Sequence, residues 1–427
     1  MSAGLSISRR RFLGRSAACA AAPYVLTSSA LGDARTPPAS ERIVMAAIGV
    51  GGQGTHNLKG FLAHDEVRMV AVCDADRAHA RAAKGLADAR YGDSACAICG
   101  DFREILARDD VDAVSISTPD HWHTVMALEA ARRGKDIYLE KPLTLTLREG
   151  RVLSDEIRRL GRVLQTGTQR RSSGVWQFMC ELAVNGYVGE IRTIRTWSSP
   201  GRAIAPQPAM PVPEGFDYDM WLGPAPLAPY TQARCHYSFR FIWDYSGGQV
   251  TNNGAHYLDI AQWALGQSYG GPVEARGSGE CPADGLFNVP VKYRYEWRYA
   301  NGTIVTGEED GSGVRIEGSE GWLSFMASEG LRASRESLLR HTIGPNEIHL
   351  YAGKSHHGNF LQCVRSRRQP SADVEIGHRS ASVAHLGNVA LKLGRPVRWD
   401  PAKEEFVGGD EAAERLARRA LRGPWRL

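Results

Sequence analysis

From Ile43 to Gln169 the chain alternates two hydrophobic patterns. Short apolar runs, "RIVMAAI", "VRMVAVCD", "VDAVSIST", "DIYLE" and "VLQTGTQ", have the length and continuity of strands. Interleaved with them, "TVMALEAARRG" and "TLREGRVLSDEIRRLG" carry apolar residues at helical spacing. In the second of these Leu153, Ile157 and Leu160 share one face, and Thr146 with Glu149 forms a capping box. Strand and helix in alternation predict a parallel, doubly wound sheet whose ligand lies across the carboxyl ends of its strands.

Beyond Gln169 the rhythm changes. One helical stretch, "GVWQFMCELAVNG", precedes β-rich runs such as "EIRTIRTWSS", "PVEARGSG", "VKYRYEWRYANGTIVTGEE" and "GVRIEGSEGWLSFMAS", with Asn301-Gly302 at a hairpin turn. A proline-rich insertion, "SSPGRAIAPQPAMPVPEGFDY", predicts a long surface loop that reaches a neighbouring subunit or the rim of a site. The expected division is an export signal over 1–30, a linker over 31–41, an α/β domain over 42–168 and an α+β domain over 169–427.

The signal rests on "SRRRFLG", in which Arg9 and Arg10 precede Phe12 and Leu13, followed by an apolar run from Ala17 to Leu26 and small residues to Ala30. This is the three-part pattern of an export leader, and the run is too short to span a membrane. Paired arginines before Phe-Leu mark the twin-arginine route, which carries folded proteins. The expected location is therefore periplasmic or otherwise exported, with the twin-arginine machinery as a partner and no membrane anchor.

Composition narrows the classes. At 427 residues, with 43% hydrophobic and 23% charged, the chain is globular and long enough for two domains. Of its net charge of +5, four charges come from Arg9, Arg10, Arg11 and Arg15; the remainder is close to neutral and gives no electrostatic case for nucleic acid. The eight cysteines are scattered except for "CAIC" (Cys96 to Cys99), which is expected to be a loop between a helix and the next strand rather than a zinc site.

The first apolar run ends in Gly49, Gly51 and Gly54 in G-x-G-x-x-G register, with Gly52 and Gln53 inside it, and Asp74 closes the second run twenty residues beyond Gly54. Such glycines let the backbone approach a pyrophosphate, the following helix start offers unpaired N–H groups, and the acid accepts hydrogen bonds from a ribose. The expected cofactor is NAD. NADP is less favoured, because a carboxylate repels a 2′-phosphate, although Arg77 softens that preference.

Two further stretches, "STPDHWH" (117–123) and "YLEKPLT" (138–144), together with the glycine turn, resemble the Gfo/Idh/MocA family of glucose-fructose oxidoreductase and inositol dehydrogenase. The resemblance runs from about residue 42 onward through "YDMWLGPAP", "DYSGGQVTNNGAHYLDIAQWALG" and "GRPVRWDP". It implies an N-terminal Rossmann domain and a C-terminal α+β domain with an open, mostly antiparallel sheet. One face of that sheet would line the substrate and the other bury a partner subunit, in a homo-oligomer (dimer or tetramer). It implies also that Glu140, Lys141 and Pro142 lie beside the nicotinamide, with a cis bond before Pro142 and Lys141 touching cofactor and substrate. The family's D-x-G-x-H segment aligns with "NNGAH", so His256 becomes the base and Asn252 stands where inositol-dehydrogenase-like members carry Asp. An amide orients an imidazole without stabilising its cation, and Asp259 is the nearby substitute.

The physical chemistry agrees with this assignment. Oxidising a secondary alcohol needs a hydride acceptor, a base for the hydroxyl proton and a cation that favours the developing alkoxide. Lys141 supplies the cation and His256 the base. Asn252 and His256, four residues apart, share a face if a helix begins there. Thr118, Pro119, His121 and His123, past a strand's carboxyl end, are expected at the cofactor near the nicotinamide ribose, with Asp120 capping the next helix and no metal. Arg171, Arg240, Trp243, Tyr245 and Asp259 are expected on the substrate, the aromatic rings stacking on a sugar; Trp243 has an equal reading as plain core.

The leading expectation is a nicotinamide-dependent oxidoreductase acting on a secondary alcohol of a carbohydrate or polyol. Its NAD is tightly bound, because no free pool is maintained outside the cytoplasm. A redox-neutral glycoside hydrolase, which oxidises, eliminates and reduces, meets the same condition, although "TNNGAH" replaces the Y-P-T-H-like segment of the best-known such group. A non-catalytic sugar-binding protein is the third class.

Overall fold

The apolar runs of the first half pair into one sheet. Its strands are β1 (Ile43–Ile48), β2 (Val67–Cys73), β3 (Ala97–Cys99), β4 (Ala113–Ile116), β5 (Asp136–Leu139) and β6 (Leu164–Thr166). They lie in the order β3-β2-β1-β4-β5-β6 with every pair parallel. Helices α1 (Gly52–Leu62), α2 (Arg77–Tyr91), α3 (Phe102–Leu106), α4 (Asp120–Arg132) and α5 (Leu147–Arg159) connect successive strands, as a parallel sheet requires. The computed structural model describes residues 37–427. The "SRRRFLG" leader, its apolar run and most of the linker lie outside the described residues; Ala39–Glu41 form a single 3-10 turn, and Ile43–Leu427 form one compact unit.

Two local expectations are corrected. "AIC" within "CAIC" is strand β3, not a loop: it pairs with Ala71 to Cys73 at the sheet edge, where Ile98 is exposed, so three residues carry no periodic burial signal. "VDAVSIST" is accordingly the fourth strand. Asp120 does not cap α4, because Pro119 holds the N-cap position and the Asp120 carboxylate accepts from Ser246 Oγ at 2.5 Å. α5 starts at Thr146 as its sequence predicts, but with half of the expected capping box: Thr146 Oγ1 accepts from the Glu149 amide, while the Glu149 carboxylate accepts from the Thr146 hydroxyl; Leu153 and Ile157 are buried.

The second sheet holds β7 (Ile191–Ser198), β8 (Glu274–Glu280), β9 (Lys292–Arg298), β10 (Ile304–Glu309), β11 (Gly313–Gly318), β12 (Trp322–Met326), β13 (Gly330–Ala333), β14 (Val397–Asp400) and β15 (Glu405–Phe406). The order is β13-β12-β11-β7-β10-β9-β8-β14-β15, antiparallel except for β7 with β10. Asn301-Gly302 turns the β9–β10 hairpin, with Gly302 at φ 87°. The remaining helices are α6 (Gly174–Val184), α7 (Tyr218–Leu222), α8 (Gln249–Asn252), α9 (Gly254–Ala264), α10 (Glu336–Leu339), α11 (His356–Ser366), α12 (Val374–Leu393) and α13 (Glu411–Leu416).

α12 joins the halves. Its Val374 belongs to the apolar core under the parallel sheet, and Val383, Leu386 and Val389 to the core under the second. Close approach is bought with small residues: a Cβ on Gly377 would stand 2.1 Å from Thr166 Oγ1 of β6, and one on Gly387 2.9 Å from the Trp297 ring of β9.

Candidate active site

The carboxyl ends of β1, β2, β4 and β5 open onto one cleft. β1 runs into Gly49 at φ 76°, where a Cβ would stand 2.8 Å from the Ser117 backbone; a Cβ on Gly54 would stand 1.8 Å from the Gly49 oxygen. Only glycine fits either position. Gly52 has open space around its Cα, and α1 begins there with no side-chain cap, so its first-turn amides are free to meet an anion. Asp74, at the end of β2, accepts from Val50 N at 2.7 Å and from Asp76 N at 2.9 Å, which ties the loop to the carboxylate beside it. Arg77 is exposed and does not line the cleft. The cradle and donor set fit a dinucleotide.

The end of β5 supplies the other end of the cleft. Glu140 is buried and accepts from Gln53 Nε2 at 3.1 Å, Asn57 Nδ2 at 3.0 Å and the Lys141 amide at 3.1 Å. The Lys141–Pro142 bond is cis. Lys141 Nζ donates to Asn252 Oδ1 at 2.9 Å, and Asn252 Nδ2 donates to Gln249 Oε1 at 3.0 Å. Burial pulls the Lys141 ammonium below its ordinary value against the charges of Glu140 and Asp120, with Arg240 adding to the depression.

Asn252 and His256 are not partners on one helix. Asn252 closes α8, Asn253 separates the helices, and His256 lies in the first turn of α9. The amide turns to Lys141 instead. His256 is buried, its Nδ1 has no partner, and it does not line the cleft. Burial, then the charges of Lys141 and Arg170, hold its imidazole well below the usual range, so it is neutral at neutral pH.

Thr118 and Pro119 line the cleft, and Thr118 Oγ1 is buried without a partner. His121 and His123 do not line it. His121 Nε2 meets the Trp221 carbonyl at 3.0 Å, and burial pushes that ring down to about 3; His123 stands between the Pro142 and Thr118 carbonyls at 2.8 and 3.0 Å. Both rings brace the backbone that carries the cleft. Arg171 and Asp259 likewise leave the expected substrate set, for they form a buried ion pair at 2.8 Å with Ser380 Oγ donating to Asp259. Tyr245 is buried against His121 and Trp221, and Trp243 lines a separate cavity, with Lys392 Nζ 3.9 Å from its ring centre.

The facing wall comes from the second half. The proline-rich loop docks on the rim: Gly215 O accepts from Arg77 N, Ala75 O accepts from Asp217 N, and Phe216 bridges to Asp76. Met220 and Trp221 of α7, then His236, Tyr237, Phe239 and Arg240, continue the wall. His236, at φ 51°, joins Asp76 and His79 at the Asp74 end, where three metal-type donor atoms lie within 4.8 Å of one another, while hydrogen bonding to Asp74 raises the His79 imidazole. Arg240 packs over Tyr237 and Phe239 at 3.9 and 4.8 Å. Sequence reasoning found Arg240 and missed its neighbours and Gln249; "HYSFRF" has aromatic density but no period.

Residues 43–168 match the family model described as an oxidoreductase family, NAD-binding Rossmann fold, and residues 193–427 the model for the oxidoreductase family's C-terminal alpha/beta domain. A glycosyl hydrolase family 109 protein of Saccharopolyspora erythraea is 43% identical over 115 residues, 26% of this chain and 25% of that protein. The match therefore spans about a quarter of the length of this curated relative. The solved WlbA dehydrogenase from Bordetella pertussis, in complex with NADH and UDP-GlcNAcA, superposes with TM-score 0.62 at 17% identity, over 84% of this chain and 99% of that one. An aldose-aldose oxidoreductase from Caulobacter crescentus, complexed with glycerol, gives 0.61 at 19% identity with the same two coverages. At these identities the likeness is one of fold.

Proposed function

Because the chain belongs to the Gfo/Idh/MocA family of oxidoreductases and carries its NAD-binding Rossmann fold, we propose that it moves hydride between a tightly held NAD and a secondary alcohol of a carbohydrate or polyol. The observation that carries this reading is the Lys141 Nζ–Asn252 Oδ1 pair at 2.9 Å, set on the same cleft as the glycine cradle and Asp74.

When bound, the dinucleotide supplies the hydride acceptor and donor. The amides of Gly52 and Gln53 would hold its pyrophosphate, Asp74 its adenosine ribose, and Thr118, Glu140 and Lys141 its nicotinamide end. Lys141 presents its N–H to the substrate hydroxyl and favours the alkoxide. With an amide rather than a carboxylate beside it, its ammonium has no ion-pair partner among the described residues, and burial brings its titration toward neutrality. His256, neutral and close enough to feel the Lys141 charge, does not line the cleft, so in this reading the hydroxyl proton passes to Lys141 as Lys141 releases one toward the imidazole. The proposal includes export by the twin-arginine route with the dinucleotide already in place, and a homo-oligomer formed through the second sheet. The wall that covers the cleft supports retention of the cofactor.

Denaturing the purified protein and analysing the supernatant by absorbance and mass tests the first part: a stoichiometric nicotinamide dinucleotide is expected, and its absence from protein purified at neutral pH would sink tight binding. Incubation with free sugars and with aryl glycosides tests the second, oxidised sugar being the expected product. A second reading, redox-neutral glycoside hydrolysis, is favoured by the name of the Saccharopolyspora relative. Release of the phenol without net cofactor reduction would establish it instead.

A further inference from the structure

We propose that Arg240 makes the substrate end of the cleft a receptor for a sugar that carries an anionic group, a carboxylate or a phosphate. The inference rests on the carbohydrate reading above and adds the charge of the substrate to it.

Four observations carry it. Arg240 is in no ion pair among the described residues, and its Nε is buried without a hydrogen-bond partner. Its guanidinium is fixed in place: one face packs on Tyr237, Phe239 lies alongside, and Nη1 donates to the Tyr237 carbonyl. An oriented fork with a dry, unused N–H matches the paired oxygens of a carboxylate or phosphate. A further cation, Arg202, is exposed and outside the cleft lining but packs 5.9 Å from the Tyr237 ring, and Lys141, which does line the cleft, is in no ion pair among the described residues. Two acids lie on this part of the cleft, and both are buried and engaged: Asp120 accepts from Ser246, and Glu140 from Gln53, Asn57 and the Lys141 amide. A neutral hexose would leave Arg240 desolvated and unpaired, which costs more than the pairing of an anion.

Calorimetric titration of the dinucleotide-loaded protein with glucuronate, glucose 6-phosphate and glucose tests the inference, with absorbance at 340 nm followed in parallel. One anion is expected to bind about tenfold tighter than glucose or better, and the anion that does so identifies the group. Arg240→Gln should abolish that preference and Arg240→Lys keep part of it, both with unchanged dinucleotide content. Glucose binding as tightly as both anions, or no binding by any of the three, overturns the receptor. So does an Arg240→Gln protein that loses its dinucleotide while its anion preference persists, since the guanidinium then serves the diphosphate. If Arg240→Gln does not fold, the wild-type preference and Arg240→Lys decide. Binding of an anion without any change at 340 nm sinks hydride transfer to that sugar and leaves the receptor standing.

Discussion

At the scale of single residues, the site turns on what Lys141 has for a neighbour. Truncating it, Lys141→Ala, removes both the charge and the proton path and is expected to lower kcat by roughly 10²–10⁴-fold, with bound dinucleotide retained; turnover on the identified substrate measures it. Asn252→Asp places a carboxylate 2.9 Å from the ammonium. An opposite charge at that distance favours the protonated form, so the alkaline limb of the kcat/KM profile should move to higher pH by about one to three units. Asp259→Ala tests a different kind of charge. It leaves Arg171 buried and alone, and a stability loss of about 3–5 kcal/mol in urea titration is expected. Lys141 was legible because a short motif fixes it at a strand's end. Arg171 and Asp259 were misplaced because two charges 88 positions apart give no sign in sequence that they satisfy each other in the core.

At the scale of elements, the glycine turn and the strand–helix alternation were legible, since close backbone approach and burial on a fixed period leave composition no freedom. Gly54→Ala would put a methyl carbon 1.8 Å from the Gly49 oxygen. The loop must move, and the purified variant is expected to carry little or no dinucleotide while its circular dichroism remains that of the parent. The wall from Gly215 to Arg240 was not legible. Its short turns have no period, and its contacts with Ala75, Asp76 and Arg77 are set by the fold of the other half. β3 escaped for a smaller reason, being three residues at an edge with one side exposed.

At the scale of the molecule, burial of neutral histidines governs behaviour in acid. Burial pushes His121 down to about 3 and His356 and His385 down to about 4. Below pH 6.5 the unfolded chain takes a proton on each ring and the folded protein does not, so stability falls as pH drops from about 6.5 toward 4. The slope is at most about 1.4 kcal/mol per pH unit for each histidine. The melting temperature should therefore decline steadily between pH 7 and 5, and a flat profile would show these rings to be solvated.

The two walls of the cleft are far apart along the chain, Gly49 to Lys141 on one side and Met220 to Asn252 on the other, and α12, at Val374–Leu393, supports both sheets. A ribosome that has released only the first half presents an open shelf with no roof. On the function proposed above, the enclosed dinucleotide is captured only after α12 has been translated, and the supply that matters is the pool surrounding the newly finished chain.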